Sequence, residues 1–411
     1  MPARHRDRGD HTPTRRVGTA GLLTGRLSPE ATLDAAPAGA AFGVYLHVPF
    51  CRHRCDYCAF AAWDDRNQLA DDYLRALDTE VARAVEAGLA PAHTVFVGGG
   101  TPSQVDPEGL GRVLDRLALV ERAEVTVECN PDDVTAALAE SLAAHRVNRV
   151  SLGVQSMDID QLAVLGRHHR PANVASALAH VRAAGVTNIN LDVIYGSVGE
   201  SAASWRRTLA SVLDLEPPHV SAYALTVEPG TPLADDPHHH PDEDLQADAY
   251  EAAEELLGEA GMTHYEISNW ARPGHQCRHH LIYWDQGDYR GFGCAAHSHR
   301  GGRRWWNLHT PERYIEAVTE GSSTEAAAEV LDGETRRREA LELRLRTWAG
   351  VPPGSFSDED RAELTTEGLV ESVVLGDGEE RLALTQRGRM LANEVALRLV
   401  PVDDRPVLAA G

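Results

Sequence analysis

The chain contains no lysine. Its 39 fixed positive charges are all arginine, set against 62 Asp and Glu, for a net charge of −23 over 411 residues. That balance argues against a phosphate backbone as the main partner, so no nucleic acid is expected. Cysteine is scarce, with six in all. They are too few and too unevenly placed for a disulfide framework, which points to a reducing, cytoplasmic compartment. No run of about 18 apolar residues occurs, so stable membrane insertion is not expected. The opening Met-Pro-Ala-Arg-His-Arg-Asp-Arg has no apolar stretch of the signal-peptide kind. Residues 1–40, rich in Arg, Gly, Thr, Pro and Ala, lack sustained periodicity and read as a disordered tail.

A regular alternation begins at Phe42. Short apolar runs predict strands over Phe42–Val48, Thr94–Val97, Glu124–Glu128, Arg149–Val154, Asn188–Ile194 and Val220–Thr226. Amphipathic patterns between them predict helices over Asp71–Ala87, Pro107–Leu119, Asp133–Ala144, Asp158–Leu165, Asn173–Ala184 and Ser201–Leu213. This is an α/β pattern with a parallel sheet. Six units are too few for a closed eight-fold barrel and suit a partial (β/α)6 barrel, with ligands gathered at the carboxyl ends of the strands. Residues Pro229–Asp244, with Pro-Gly-Thr-Pro and a His-His-His tract, read as a solvated connector. A helix over Leu245–Ala260 and a strand over His264–Trp270 follow. A helix over Glu334–Thr347, a hairpin turning at Gly-Asp-Gly and a final helix over Gln386–Leu399 predict a small winged-helix-like α+β domain. It carries little excess positive charge, which favours a cap or docking role over DNA binding. The expected divisions are 1–40, 41–320 and 321–411.

The chemistry concentrates at the strand ends. Cys51, Cys55 and Cys58 have the spacing C-x3-C-x2-C in the loop after the first strand. Three thiolates can wrap one side of an iron–sulfur cluster and leave one iron open to a small molecule. The C-x2-C portion also suits zinc or a redox pair. A zinc site would need a fourth ligand, from His47 or His53 nearby or from the distant Cys129, Cys277 and Cys294. Gly98, Gly99 and Gly100 precede Thr101 at the second strand end, where a ligand can approach the backbone and glycine N–H groups can meet a carboxylate. Glu128, Gln155 and Asp192 are polar residues in or at the ends of the third, fourth and fifth strands. Such residues are costly unless paired, which favours facing a ligand.

The segments Tyr45–Phe60, Val95–Ser103, Val127–Pro131, Ser151–Ser156 and Asn190–Gly196 resemble radical S-adenosylmethionine proteins of the oxygen-independent coproporphyrinogen oxidase family. Glu266–His279 and Gly291–Ser298 extend the resemblance, which covers roughly residues 42–310 well and the C-terminal domain in outline. It implies that Cys51, Cys55 and Cys58 hold a [4Fe-4S] cluster. It implies that Tyr45, Tyr57, Gly99, Gly100, Thr101, Glu128, Gln155, Arg167 and Asp192 contact S-adenosyl-L-methionine, with Ala224 and His297 as further candidates. In that chemistry the reduced cluster gives one electron to the sulfonium, and the S–C5′ bond breaks to a 5′-deoxyadenosyl radical.

Two features separate the branches of the family. The oxidases carry another cysteine two residues after the third, where this chain has Phe60, and they have an ordered N-terminal arm. The haem-chaperone branch carries His-Asn-x-x-Tyr-Trp, and this chain has His279-His280-Leu-Ile-Tyr283-Trp284. The resemblance is closest to the chaperone branch. It implies a haem (heme) bound through His279 or His280, a haem acceptor protein and an electron donor protein as partners. The alternative is radical oxidative decarboxylation of coproporphyrinogen III propionates, a coproporphyrinogen dehydrogenase-type activity.

Overall fold

The computed structural model describes residues 41–376 and 378–400. The expected tail at 1–40, Asp377 of the Gly-Asp-Gly turn and residues 401–411 lie outside the described residues.

Six strands lie parallel and in chain order: β1 (Phe42–Val48), β2 (Ala92–Gly99), β3 (Leu119–Cys129), β4 (Arg149–Gln155), β5 (Asn188–Tyr195) and β6 (His219–Ala224). The helices between them are α1 (Ala70–Glu86), α2 (Pro107–Arg116), α3 (Ala136–Ala144), α4 (Ile159–Val164), α5 (Pro171–Ala183) and α6 (Ala202–Leu213). Each expected strand and helix of this region is present, with ends shifted by a few residues. β3 is the longest departure, because Leu117 closes α2 early and the chain is extended again from Leu119.

One face of the sheet is apolar and helix-covered. Val44, Leu46 and Val48 of β1 and Val150, Leu152 and Val154 of β4 join a single large core. Alternation sends the intervening residues to the inner face. There stand Tyr45 and His47, Glu124 and Glu128, Arg149 and Ser151, and Asn190 and Asp192. A parallel sheet covered on both faces is normally apolar throughout. A polar inner face is therefore the mark of a ligand-bearing interior.

Beyond β6, α7 (Glu243–Glu259) leads to β7 (Thr263–Glu266) and β8 (Asn269–Ala271), which pair antiparallel at one edge of the sheet. The single strand expected over His264–Trp270 is thus a tight hairpin. The carboxylate of Glu266 makes it turn, accepting from the Ser268 N–H at 3.1 Å and from the Asn269 amide. A short helix, α8 (Arg278–Trp284), runs to β9 (Asp288–Phe292), which adds parallel to the free side of β1. Strands β10 (His297–Arg300) and β11 (Arg303–Asn307), helix α9 (Pro311–Glu320) and strand β12 (Glu325–Val330) complete a twelve-stranded sheet.

Glu80 of α1 ties this added wall to the barrel. Its buried carboxylate accepts from the Gly293 N–H (3.0 Å), the Tyr314 hydroxyl (2.7 Å), the Thr324 hydroxyl (2.8 Å) and the Asn307 amide (3.3 Å).

The remaining elements are α10 (Gly333–Leu345), α11 (Asp358–Thr366), the hairpin β13 (Val370–Val374) and β14 (Glu380–Leu384), α12 (Gln386–Met390) and α13 (Ala392–Ala396). They enclose a separate apolar cluster beginning at Leu341 and including Leu345, Leu364, Leu382 and Val395. The main sheet continues past residue 320, since β12 pairs with β11. The single helix expected over Gln386–Leu399 is broken at Leu391, whose N–H turns back to Gly388. Among the described residues no helix is long and apolar enough to cross a membrane.

Candidate cofactor-binding site

A cavity of about 440 Å³ opens at the carboxyl ends of β1–β6. Its wall includes Cys51, Cys55 and Cys58 together with Tyr57, Gly99, Gly100, Thr101, Glu128, Gln155, Arg167, Asp192 and Ala224. These positions span 174 residues of sequence, from Cys51 to Ala224, and parallel strands bring them to one rim. Tyr45, His279 and His297 are not in this wall. A second cavity, about 540 Å³, lies between α6 and α7 and is lined by acidic side chains such as Glu200, Asp242 and Glu251. It holds none of the thiols.

The thiol loop is held at several points. Cys51 N–H donates to Trp63 O at 3.0 Å, Cys58 N–H to Cys55 O at 3.1 Å, and the Asn67 amide to Cys51 O at 2.9 Å. The Thr101 hydroxyl lies 3.5 Å from Cys51 Sγ. Arg167 reaches across from the loop after α4 to put its guanidinium 3.6 Å from Cys55 Sγ, steadied by Asn130 Oδ1 (2.6 Å) and Gly153 O (2.9 Å). Burial pushes the Cys51 thiol up to about 11, partly offset by Thr101, and also raises Cys58. Burial thus disfavours the thiolate at Cys51 and Cys58, and a metal centre would supply the charge that stabilises it.

Among the described residues no group of three or more His, Cys, Asp or Glu side chains is placed to hold one metal ion. His47, a candidate fourth zinc ligand, has both ring nitrogens engaged, with Tyr45 Oη at 3.0 Å and Ala61 O at 2.8 Å, and burial pushes it down to about 4. Three thiols on one wall with a guanidinium beside one of them suit an iron–sulfur cluster.

The glycines serve by their size. Gly99 has φ +113°, and a Cβ there would fall 2.4 Å from the His47 ring. A Cβ on Gly100 would meet the Phe50 backbone at 2.7 Å. Their N–H groups, expected to be open to a ligand carboxylate, are already used. Gly99 donates to Glu128 Oε2 at 3.2 Å and Gly100 to Val48 O at 2.7 Å. Burial, reinforced by Asp192, pushes the Glu128 carboxyl up to about 7. Gln155 holds φ +61° where the β4–β5 register shifts. Such a kink re-aims a strand-end side chain, and strained positions of this kind cluster at functional sites. Asp192 accepts from the Ser151 hydroxyl (2.8 Å) and the Asn190 amide (2.7 Å).

The histidine pair on α8 lies on the inner side of the sheet. His279 is 0 % exposed and closed at both nitrogens, to Thr94 Oγ1 at 2.7 Å and Tyr283 Oη at 2.6 Å. His280 is only partly covered and its ring has no hydrogen-bond partner among the described residues. That ring lies 5.3 Å from the Phe96 ring and is stacked on Tyr283 at 6.4 Å. His297 stacks on Trp306 at 5.6 Å on the β10–β11 wall. Sequence reasoning did not single out Asn130, Tyr223 or Arg149. Asn130 stood in the Glu-Cys-Asn-Pro motif and could have been found there; Tyr223 and Arg149 follow only from strand alternation.

Comparison with known proteins agrees with this geometry. The Radical SAM superfamily model matches residues 45–212. The chain is 40% identical over 389 residues to the Heme chaperone HemW of Mycobacterium tuberculosis, covering 91% of this chain and 99% of that protein. It is 32% identical over 367 residues to the Heme chaperone HemW of Bacillus subtilis, covering 85% and 97%. Among solved structures, coproporphyrinogen III oxidase (HemN) from Escherichia coli, a radical SAM enzyme, superposes with TM-score 0.75 at 22% identity, covering 87% of this chain and 89% of that one.

Proposed function

The chain belongs to the HemW family of haem chaperones within the radical SAM superfamily, and from that premise we propose that it binds haem in the cytoplasm and hands it to an acceptor protein. In this reading Cys51, Cys55 and Cys58 hold a [4Fe-4S] cluster, and S-adenosylmethionine lies in the strand-end cavity. When bound, the cluster supplies single electrons to the sulfonium, drawn from a donor protein.

The chain's own residues prepare that cavity. Gly99 and Gly100 let the second strand end pack against His47 and the start of the thiol loop, because any side chain would strike the His47 ring or the Phe50 backbone. Arg167 places positive charge beside the thiol loop and suits the methionine carboxylate. Glu128 and Asp192 suit the ribose hydroxyls or the ammonium. Tyr45 acts behind the wall, fixing His47. The segment from α10 onward, with its own core, is a small separate domain that serves as a cap or docking unit.

The observation that carries the haem reading is His280. The residue is only partly covered, and its imidazole has no hydrogen-bond partner among the described residues and is flanked by Phe96 and Tyr283, which suits an iron ligand with aromatic faces for the macrocycle. His279, with both nitrogens committed, instead fixes α8. Phe60, 67 % exposed beside the third thiol, stands where the oxidases place a cysteine, which supports carriage over decarboxylation.

The test is anaerobic cluster reconstitution of the full chain, followed by two parallel incubations. One adds haem, and the other adds coproporphyrinogen III with S-adenosylmethionine and a reductant. Stoichiometric haem binding without vinyl products supports the proposal; robust formation of vinyl groups sinks it.

A further inference from the structure

Arg167 spends its donors on several partners at once. Its Nη2 donates to Asn130 Oδ1 at 2.6 Å and to Gly153 O at 2.9 Å, while Nη1 donates to Cys55 Sγ at 3.6 Å. With both Nη2 protons held by oxygens, the planar guanidinium is fixed in orientation and its Nη1–H stays aimed at the sulfur. A second donor reaches a thiol of the same loop, since the Thr101 hydroxyl lies 3.5 Å from Cys51 Sγ. That donor is neutral, whereas Arg167 brings a full charge.

Asn130 is itself anchored from behind. It follows β3, and its N–H donates to the Ser103 hydroxyl at 3.0 Å. Ser103 is buried in the turn after Thr101 and donates to Asp133 Oδ2 at 3.0 Å. Asp133 Oδ1 accepts from Arg52 Nη2 at 2.8 Å, and Arg52 stands next to Cys51. A run of hydrogen bonds therefore leaves the thiol loop at Arg52, passes through the loops after β2 and β3, and returns to the thiol loop at Cys55. Its Arg52 end is exposed and contributes little. Asn130 is the point at which the run takes hold of Arg167.

We propose that Asn130 is a positioning residue that holds Arg167 against Cys55 and so raises the reduction potential of the cluster. The inference rests on the reading above in which Cys55 is a cluster ligand. A hydrogen bond or a positive charge at a ligand sulfur draws electron density from it. The reduced cluster carries one more negative charge and gains more from this than the oxidised one. The single electron from the donor protein is then accepted at a less negative potential. This task of Arg167 is separate from any contact with the carboxylate of S-adenosylmethionine, and it is present before that ligand binds.

The experiment is a potentiometric titration with dithionite, read by absorbance and electron paramagnetic resonance, in the absence of S-adenosylmethionine. It compares the reconstituted full chain with Asn130→Ala, Arg167→Met and the double variant, and iron and sulfide are counted in every sample. The midpoint should move to more negative potential in Arg167→Met. It should move the same way in Asn130→Ala, although that change alters no charge. The double variant should match Arg167→Met alone, because Asn130 acts only through the guanidinium. An Asn130→Ala midpoint equal to that of the wild type overturns the assignment, and so does a double variant in which the two shifts add. If Arg167→Met does not keep its cluster, the Asn130→Ala midpoint decides alone. Loss of the cluster in Asn130→Ala as well would show that the run of hydrogen bonds holds the loop rather than tunes the sulfur, which also overturns it. A wild type that assembles no cluster sinks the cofactor reading and this inference with it.

Discussion

Replacing Glu128 by Gln removes a carboxylate that burial and Asp192 hold at about 7. Its Oε2 accepts from Gly99 at 3.2 Å, so it is already aimed at the glycine strand end. If the ionised form receives the hydroxyl or ammonium protons of S-adenosylmethionine, protons compete with the ligand. Affinity should then rise as pH rises through about 7. With that midpoint the ionised share goes from roughly one-tenth at pH 6 to roughly nine-tenths at pH 8, so the dissociation constant should fall about tenfold across the interval. Glu128→Gln should bind weakly with a flat profile. The stability of the ligand-free protein should run the other way. A carboxyl raised above its ordinary 4.5 contributes stability that is fully present below that value and is lost as pH rises through about 7. The loss is at most roughly 3 kcal/mol, and Gln should abolish the slope. Calorimetric titration and denaturant melts across the window read both trends. A flat wild-type affinity, or a Gln variant that keeps the slope, would refute the reasoning.

Glu80→Ala strips the acceptor from three buried donors and one half-buried one that tie the β9–β12 wall to α1. Stability should fall by about 3–5 kcal/mol, and a melt within about 1 kcal/mol of wild type would show that the wall is held otherwise. Gly99→Ala forces a Cβ to within 2.4 Å of the His47 ring at φ +113°. It should displace His47, destabilise by about 2 kcal/mol or more, and cut S-adenosylmethionine binding. Unchanged stability would show that the His47 ring can give way to a side chain there.

Much of this site was legible because its residues arrive in short contiguous motifs. Cys51–Cys58 and Gly98–Thr101 carry their spacing in one loop each, and a parallel sheet necessarily delivers such loops to one rim. The features that escaped depend on contacts between distant segments. Arg149 looks like an ordinary strand-opening residue until alternation is seen to bury it on the inner face of the sheet, in the field of Glu124 and Asp192. The turn at Ile267–Ser268 lies inside a run that reads as a single strand, because a side-chain carboxylate rather than a glycine or proline bends it. The glycine N–H groups looked free for a ligand because their acceptors, the Glu128 carboxylate and the Val48 carbonyl, lie in other segments. The His279–His280 pair is ambiguous in sequence, and the two separate only when Thr94 and Tyr283 close the His279 ring while the His280 ring has no hydrogen-bond partner among the described residues.

The claim that the chain carries haem through α8 is tested most directly by absorbance titration of haem into the reconstituted wild type, His279→Ala and His280→Ala. The account predicts saturation at one haem per chain in the wild type and loss of the ligated spectrum in His280→Ala. His279→Ala should keep that spectrum at reduced thermal stability, since it leaves the hydroxyls of Thr94 and Tyr283 without their partner. An unchanged spectrum in His280→Ala, or no saturable binding by the wild type, would contradict it.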